Sequence, residues 1–443
     1  MWLRRLGGVL IAVSAVGGVV LLVQSARAGL GSSYMVPLDH DAIQYAKAPV
    51  DDPIARLQRR LYAGQASLQY DDEFGYLRSL LRELKIPVSS QVLVFSKTSF
   101  QAPRIAPRTP RALYFNESST VGFVRTGEVL ELAVQDPRQG TIFYTLDQER
   151  ASHPHFDRRD ICLQCHQSGA TLGVPGVLVR SVVPDRNGMP VMSLGGYITD
   201  HRSALKERWG GWYVTGQSGD QEHMGNAIVR NAADDDRLPV SAGTRNLSSL
   251  DRFLDTGAYL TPHSDIVALM TLEHQTQMDN LITRVGWEAR MAMYENNAIN
   301  KSLGEPETAV RESTAHRIDA AVDELLEYTL FSGEAKLTQP IKGTSDFAKE
   351  FEKGGVRDAK GRSLRQFDLT TRMFRYPCSF MIGSEAFLAL PETVKDRFYA
   401  KLWAVLQGGG GPKFSHLTTA QRQDVAEIVA GTTKTLPSYW YHK

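Results

Sequence analysis

The amino-acid sequence predicts an α+β fold: an antiparallel β-meander around residues 162–166, followed by a mainly α-helical C-terminal half. Three observations carry this. Short runs of β-branched and aromatic residues, broken by Pro, Gly and Asn, succeed one another after Pro87. An Asn187-Gly188 pair, a strong hairpin signal, lies between two further apolar runs. From Pro262 onward the apolar residues change to a 3.6-residue spacing.

The elements follow in order. Residues 1–28 have a basic start at Arg4 and Arg5, an uncharged apolar run over 6–23 and an Ala26-Arg27-Ala28 cleavage site, the pattern of a signal peptide. The run is long enough to stay in the bilayer as an anchor, but the Ala-Arg-Ala site favours cleavage. Residues 29–90 form a helical N-terminal segment, with apolar spacing at Ile54, Leu57, Leu61 and again at Tyr76, Leu77, Leu80, Leu81. Residues 91–231 form a β-rich region with strands expected over 92–95, 112–115, 120–125, 129–134 and 141–146. A hairpin is expected between 177–183 and 189–194, turning over 184–188. A polar, acidic stretch at 232–246 marks a boundary, and 247–443 is a mainly helical region packed on the β-rich part. Its helices are expected from 262 to about 300, ending near Gly304, from after Pro306 to about 331, and from 384 to about 406.

The 443 residues suffice for one large core or two to three ordinary ones. Lys and Arg number 50 against 49 Asp and Glu, so the charge indicates no nucleic-acid partner. Three cysteines are an odd number for an exported chain, which argues against a disulfide framework and leaves Cys162 and Cys165 for another use.

That use is written in Cys162-Leu163-Gln164-Cys165-His166. Covalent haem attachment needs two thiols at the separation of the porphyrin vinyl groups and a histidine directly after them to reach the iron. If the chain after Asp160 turns helical, the two thiols and His166 share one side. The motif implies one covalent haem c, held by Cys162 and Cys165 and ligated by His166. A zinc site recruiting His153 or His155 competes with this reading but lacks a second ligand pair at the usual spacing. A redox disulfide would want a βαβ setting, which the meander does not offer.

For the distal iron ligand, His223 in Gln221-Glu222-His223-Met224-Gly225-Asn226 is chosen over His201. Both flank the aromatic segment from Trp209 to Tyr213, which could line an apolar haem pocket. Met189 belongs to the expected turn, and Met192 to a strand facing the core; an open distal position is the other alternative. His274 sits on a core-facing stripe with Met270, Met278 and Leu281, where a satisfied buried histidine is the simpler reading. His263 belongs to a helix start and Cys378 to a buried site. There is no phosphate-cradling loop, nucleophile elbow or dinucleotide fingerprint.

The stretches "APRTPRALYF" at 106–115, "GGWYVTG" at 210–216, "LEHQTQ" at 272–277 and "FRYPCSFMIGSEAFLALP" at 374–391 add a resemblance. With the motif, the chain resembles a group of large exported bacterial cytochrome c domain-containing proteins with a single CxxCH haem motif. The likeness spans about 90–406. It implies haem binding and electron transfer, and a fold other than the compact class I cytochrome c fold. Only Cys162, Cys165 and His166 carry a role across.

The expected function is electron transfer through one haem in the periplasm, with a redox partner protein and no nucleic acid. A membrane is involved only if the N-terminal segment is retained. A haem enzyme with an open distal iron is the alternative, and a sensor of a diatomic gas ranks last.

Overall fold

The computed structural model describes residues 35–229 and 242–441. The expected signal peptide, and the acidic stretch up to residue 241, lie outside these residues.

The architecture is α+β: a seven-stranded antiparallel sheet with a helical C-terminal half. Two short helices precede the sheet, α1 (Pro53–Tyr62) and α2 (Leu77–Glu83). Asp52 starts α1, its carboxylate accepting from the Ile54 and Ala55 amides with Pro53 in the first turn. The strands are β1 (Val92–Val94), β2 (Arg111–Phe115), β3 (Ser119–Phe123), β4 (Val129–Asp136), β5 (Gly140–Asp147) and β6 (Phe156–Arg158). β7 (Val179–Val182) and β8 (Gly196–Thr199) form a separate ribbon, and β9 (Trp212–Tyr213) returns to pair with β1. The sheet order is β6-β5-β4-β3-β2-β1-β9, so the meander is extended at its far edge by a late segment.

Alternation divides the sheet into two faces. One carries Leu93, Tyr114, Val121, Leu130, Leu132, Val134, Ile142 and Tyr144, which bury against Ile54 and Leu57 of α1 and Leu77, Leu80 and Leu81 of α2. The register brings Leu113, Gly122, Glu131 and Thr145 together on the other face, with Thr120, Ala133 and Phe143 as the next row. This second face is only partly covered: Leu113, Thr120, Glu131 and Ala133 are half-buried.

Between β6 and the ribbon, a short four-residue helix within the 160–166 segment is α3 (Leu163–His166), and the C-terminal half holds α4 (Ile266–Leu303), α5 (Glu312–Thr329), α6 (Phe347–Lys353), α7 (Glu385–Leu388), α8 (Glu392–Leu406) and α9 (Thr419–Thr432). Asp265 caps α4 at its start and Gly304, in the left-handed conformation at φ 68°, ends it. At 1.5 Å per residue α4 is about 57 Å long. Its first six turns are buried on nearly all sides, so this helix is the spine around which α5, α8 and α9 assemble the second core. Among the described residues no helix is long and apolar enough to cross a membrane.

Two expectations need correction. The Asn187-Gly188 turn exists, with the Asp185 amide bonded to the Met189 carbonyl at 2.9 Å and Gly188 at φ 81°. β7 nevertheless pairs with residues 196–199 rather than 189–194. Pro184 and Pro190 face each other and neither has an N–H to donate, so the ladder stops after one bridge and Met192–Leu194 becomes a 3-10 turn. Met192 is therefore no core strand residue but is 72% exposed. The helix expected over 384–406 is two, α7 and α8, interrupted before Pro391, which cannot continue a helix from the preceding turn.

Candidate cofactor-attachment site

β6 runs into a 3-10 turn (Asp160–Cys162) and then directly into α3. Arg159 ties this segment to β5, its amide donating to the Phe143 carbonyl and its Nε to Thr145 Oγ1, both at 2.9 Å. Residues 162–166 thus hang over the partly covered sheet face. Cys162 is half-buried, Cys165 exposed, and neither is in a disulfide. Burial, then the nearby Glu131 carboxylate, pushes the Cys162 thiol above its ordinary value. Reactive redox cysteines have depressed values, so this environment disfavours a disulfide-exchange role.

His166 packs on Phe143, with ring centroids 4.9 Å apart. Its Nδ1 lies 2.9 Å from the Gly176 carbonyl. A carbonyl can only accept, so Nδ1 carries the hydrogen and Nε2 keeps its lone pair for a metal. Burial lowers the His166 pKa, which favours the same neutral ring. Gly176 holds the residue at both ends, since its amide also donates to the His166 carbonyl at 2.9 Å. A Cβ at 176 would fall 2.0 Å from Asn280 Oδ1 on α4, and Asn280 Nδ2 donates to the Val177 carbonyl at 2.8 Å. The long helix therefore braces the loop that orients the histidine.

The Glu131 carboxylate acts electrostatically on both Cys162 and His166. Burial opposes its charge, but Arg111 at 2.6 Å, with Gln101 and Ser99 each at 2.7 Å, holds its carboxyl below the usual range. Beside it Gly122 lacks a side chain, and Leu113 and Glu131 close in to 3.3 and 3.4 Å from where its Cβ would sit. A metal cage is not assembled: among the described residues no three His, Cys, Asp or Glu side chains converge. His155 bonds Tyr62 at 2.8 Å. One histidine with an uncommitted ring nitrogen beside two thiols would fit a porphyrin, which brings its own four nitrogen ligands, better than it would fit zinc.

The structure does not bring His223 to His166. His223 is buried against Trp209 and next to the Gly225 amide, which donates to its Nδ1 at 3.1 Å. Its neighbour Asn226 holds Val214, directly after β9. β9 lies five inter-strand steps from β5, about 24 Å at the usual strand spacing. His201 is engaged elsewhere as well: its Nδ1 is 2.8 Å from His274 Nδ1, and its ring stacks on Tyr328 and Phe331. His274 is completely buried and bonded to Ser379 at 2.8 Å, and Cys378 is completely buried too. Trp209 and Trp212 fill the second core rather than a cavity. Gly176, Phe143 and Asn280 were not legible as site residues, because a backbone carbonyl ten positions away and a strand residue carry no motif.

Burial, with the charge of Arg245 behind it, pushes His223 down to about 4. A folded value below the unfolded one means that unfolding takes up a proton, so this contribution is present above pH 6.5 and is lost as the pH falls towards 4. His223→Phe is expected to remove about 2 kcal/mol of the difference in unfolding free energy between pH 7 and pH 5. Urea titrations at the two pH values measure it; an unchanged difference would show that His223 is not held neutral.

No protein-family model, curated protein or solved structure matches the chain.

Proposed function

We propose that this chain is an exported c-type haem protein that passes electrons through one covalent haem, exchanging them with a redox partner protein. The observation that carries the proposal is the presentation of His166: Nδ1 is committed to the Gly176 carbonyl and Nε2 is left to ligate, within a five-residue segment that also supplies two unbonded thiols. Cys162 and Cys165 would form the thioethers. Phe143 fixes the ring plane of His166, and the sheet face beneath limits water at one side of the site. When bound, the haem supplies a one-electron Fe(III)/Fe(II) couple. The expected signal peptide supports a periplasmic location, where such haems are attached.

A second reading, a haem enzyme with an open distal position, is favoured by one observation: both histidines considered for that position are buried in other contacts. Absorption spectra of the protein, produced together with the cytochrome c maturation machinery, separate the readings. Haem that survives acid-acetone extraction supports the proposal, and its absence refutes it. Attached haem that ignores carbon monoxide indicates two protein ligands and a carrier; ready binding of carbon monoxide indicates an open iron and the enzyme.

A further inference from the structure

Between α3 and β7 the chain is a loop shaped by polar contacts, with one 3-10 turn over Gly169–Thr171 as its regular part. Ser168 and Thr171 cap that turn reciprocally, and the Thr171 hydroxyl also donates to the Val174 carbonyl at 2.8 Å. Leu172 and Gly173 then reverse the chain through the left-handed region, at φ 57° and 74°. The reversal brings Gly176 back onto His166, where its carbonyl meets Nδ1 and its amide meets the His166 carbonyl.

The loop leans on α4. About one turn apart on that helix, Asn280 donates to the Val177 carbonyl at 2.8 Å and Arg284 to the Leu172 carbonyl at 3.1 Å. Asn280 is 1% exposed, and its Oδ1 has no hydrogen-bond partner among the described residues. That oxygen lies against Gly176 instead, in the space that a Cβ there would need. Leaving a buried amide oxygen unbonded costs stability, so what this side chain supplies is its bond to Val177 and its pressure on Gly176.

We propose that Asn280 is a positioning residue for His166: by bonding Val177 and packing on Gly176 it fixes the carbonyl that holds the Nδ1 hydrogen, and so keeps Nε2 free to ligate. Which ring nitrogen of a histidine carries the hydrogen is set by the bond that the other makes, and here that bond is only as firm as the loop. The place of Asn280 in iron ligation rests on the haem reading. The selection of one tautomer does not, because every contact in the relay is made by the chain itself. A ring whose Nδ1 hydrogen is held by a carbonyl is also the more basic ligand, which favours Fe(III).

Nitrogen NMR of the full chain, labelled at histidine, produced without haem and kept reduced, tests it. The His166 signals, identified by their loss in His166→Gln, should report the Nδ1–H tautomer alone in the parent and both tautomers in Asn280→Leu, which keeps the bulk of the side chain but not its donor. Asn296→Leu is the control: Asn296 is also 1% exposed on α4 and donates to the Ala309 carbonyl at 2.8 Å, but stands about 24 Å further along the helix. It loses a brace of the same kind away from the loop and should keep the parent tautomer, and cooperative urea unfolding of both variants will show that they fold. In the haem-loaded protein Asn280→Leu should shift the Fe(III)/Fe(II) equilibrium towards Fe(II) by roughly three- to tenfold. A single Nδ1–H tautomer retained in Asn280→Leu, an equal disturbance in Asn296→Leu, or an unshifted iron equilibrium overturns the inference. If the parent attaches no haem, the haem reading fails and the tautomer result alone decides the role of Asn280.

Discussion

Replacing Cys162 and Cys165 together by alanine is expected to yield a folded protein from which acid-acetone removes every trace of haem, whereas Cys378→Ser keeps its haem attached. Cys162 is half-buried and Cys165 exposed, on a turn over the partly covered sheet face, where under the proposal a porphyrin would reach both sulfurs. Cys378 is fully buried, and burial alone pushes its thiol up to about 12, so it offers no thiolate and no access. Each single alanine variant should retain one thioether and show an intermediate pyridine-haem band. The double variant should keep its unfolding free energy, measured by urea titration, within about 1 kcal/mol of the haem-free parent, because neither side chain belongs to a core. Haem that stays bound covalently to the double variant would move the attachment site elsewhere in the chain.

The second large effect is expected at Arg208. Its guanidinium is 4% exposed, 3.1 Å from the completely buried Glu273, and it also donates to the His201 and Ser203 carbonyls at 3.0 and 2.7 Å. Burial pushes Glu273 up to about 7, against the opposing pull of Arg208 and the Thr199 hydroxyl. Arg208→Leu strands that carboxyl without its counter-charge and should cost about 3–5 kcal/mol. The folded value lies above the unfolded 4.5, so the contribution of Glu273 to stability is greatest at low pH and is lost as the pH rises through 7. Removing Arg208 raises the value further. The loss measured by urea unfolding should therefore be larger at pH 8 than at pH 5; equal losses would show that the charge of Glu273 does not matter. Glu273→Gln, which keeps the Thr199 contact, should cost much less.

Much of the architecture was legible from spacing. All five strands expected before residue 147 are present within two or three residues at each end, because alternating β-branched and aromatic runs between turn residues have few other ways to bury one face. The long helix was legible because its start and stop are written locally, in Asp265 and Gly304. The pairing of β7 was not. Turn chemistry at Asn187-Gly188 is local, but which strand completes the ladder depends on two prolines facing each other across it. β9 was equally invisible: two residues carry no periodicity, and their place next to β1 is a long-range contact.

By itself the sequence determined the identity and spacing of Cys162, Cys165 and His166, the order of the first five strands and of the long C-terminal helix after them, and the change from period 2 to period 3.6 after Pro262. These follow from covalent spacing and from the geometry of a single element. Only the tertiary structure decided which imidazole nitrogen of His166 is left free, that Asn280 of a helix more than a hundred residues later braces its loop, and that His223 and His201 are committed elsewhere. Those outcomes depend on which distant backbone groups and rings arrive beside a side chain, and close packing settles that for the whole chain at once.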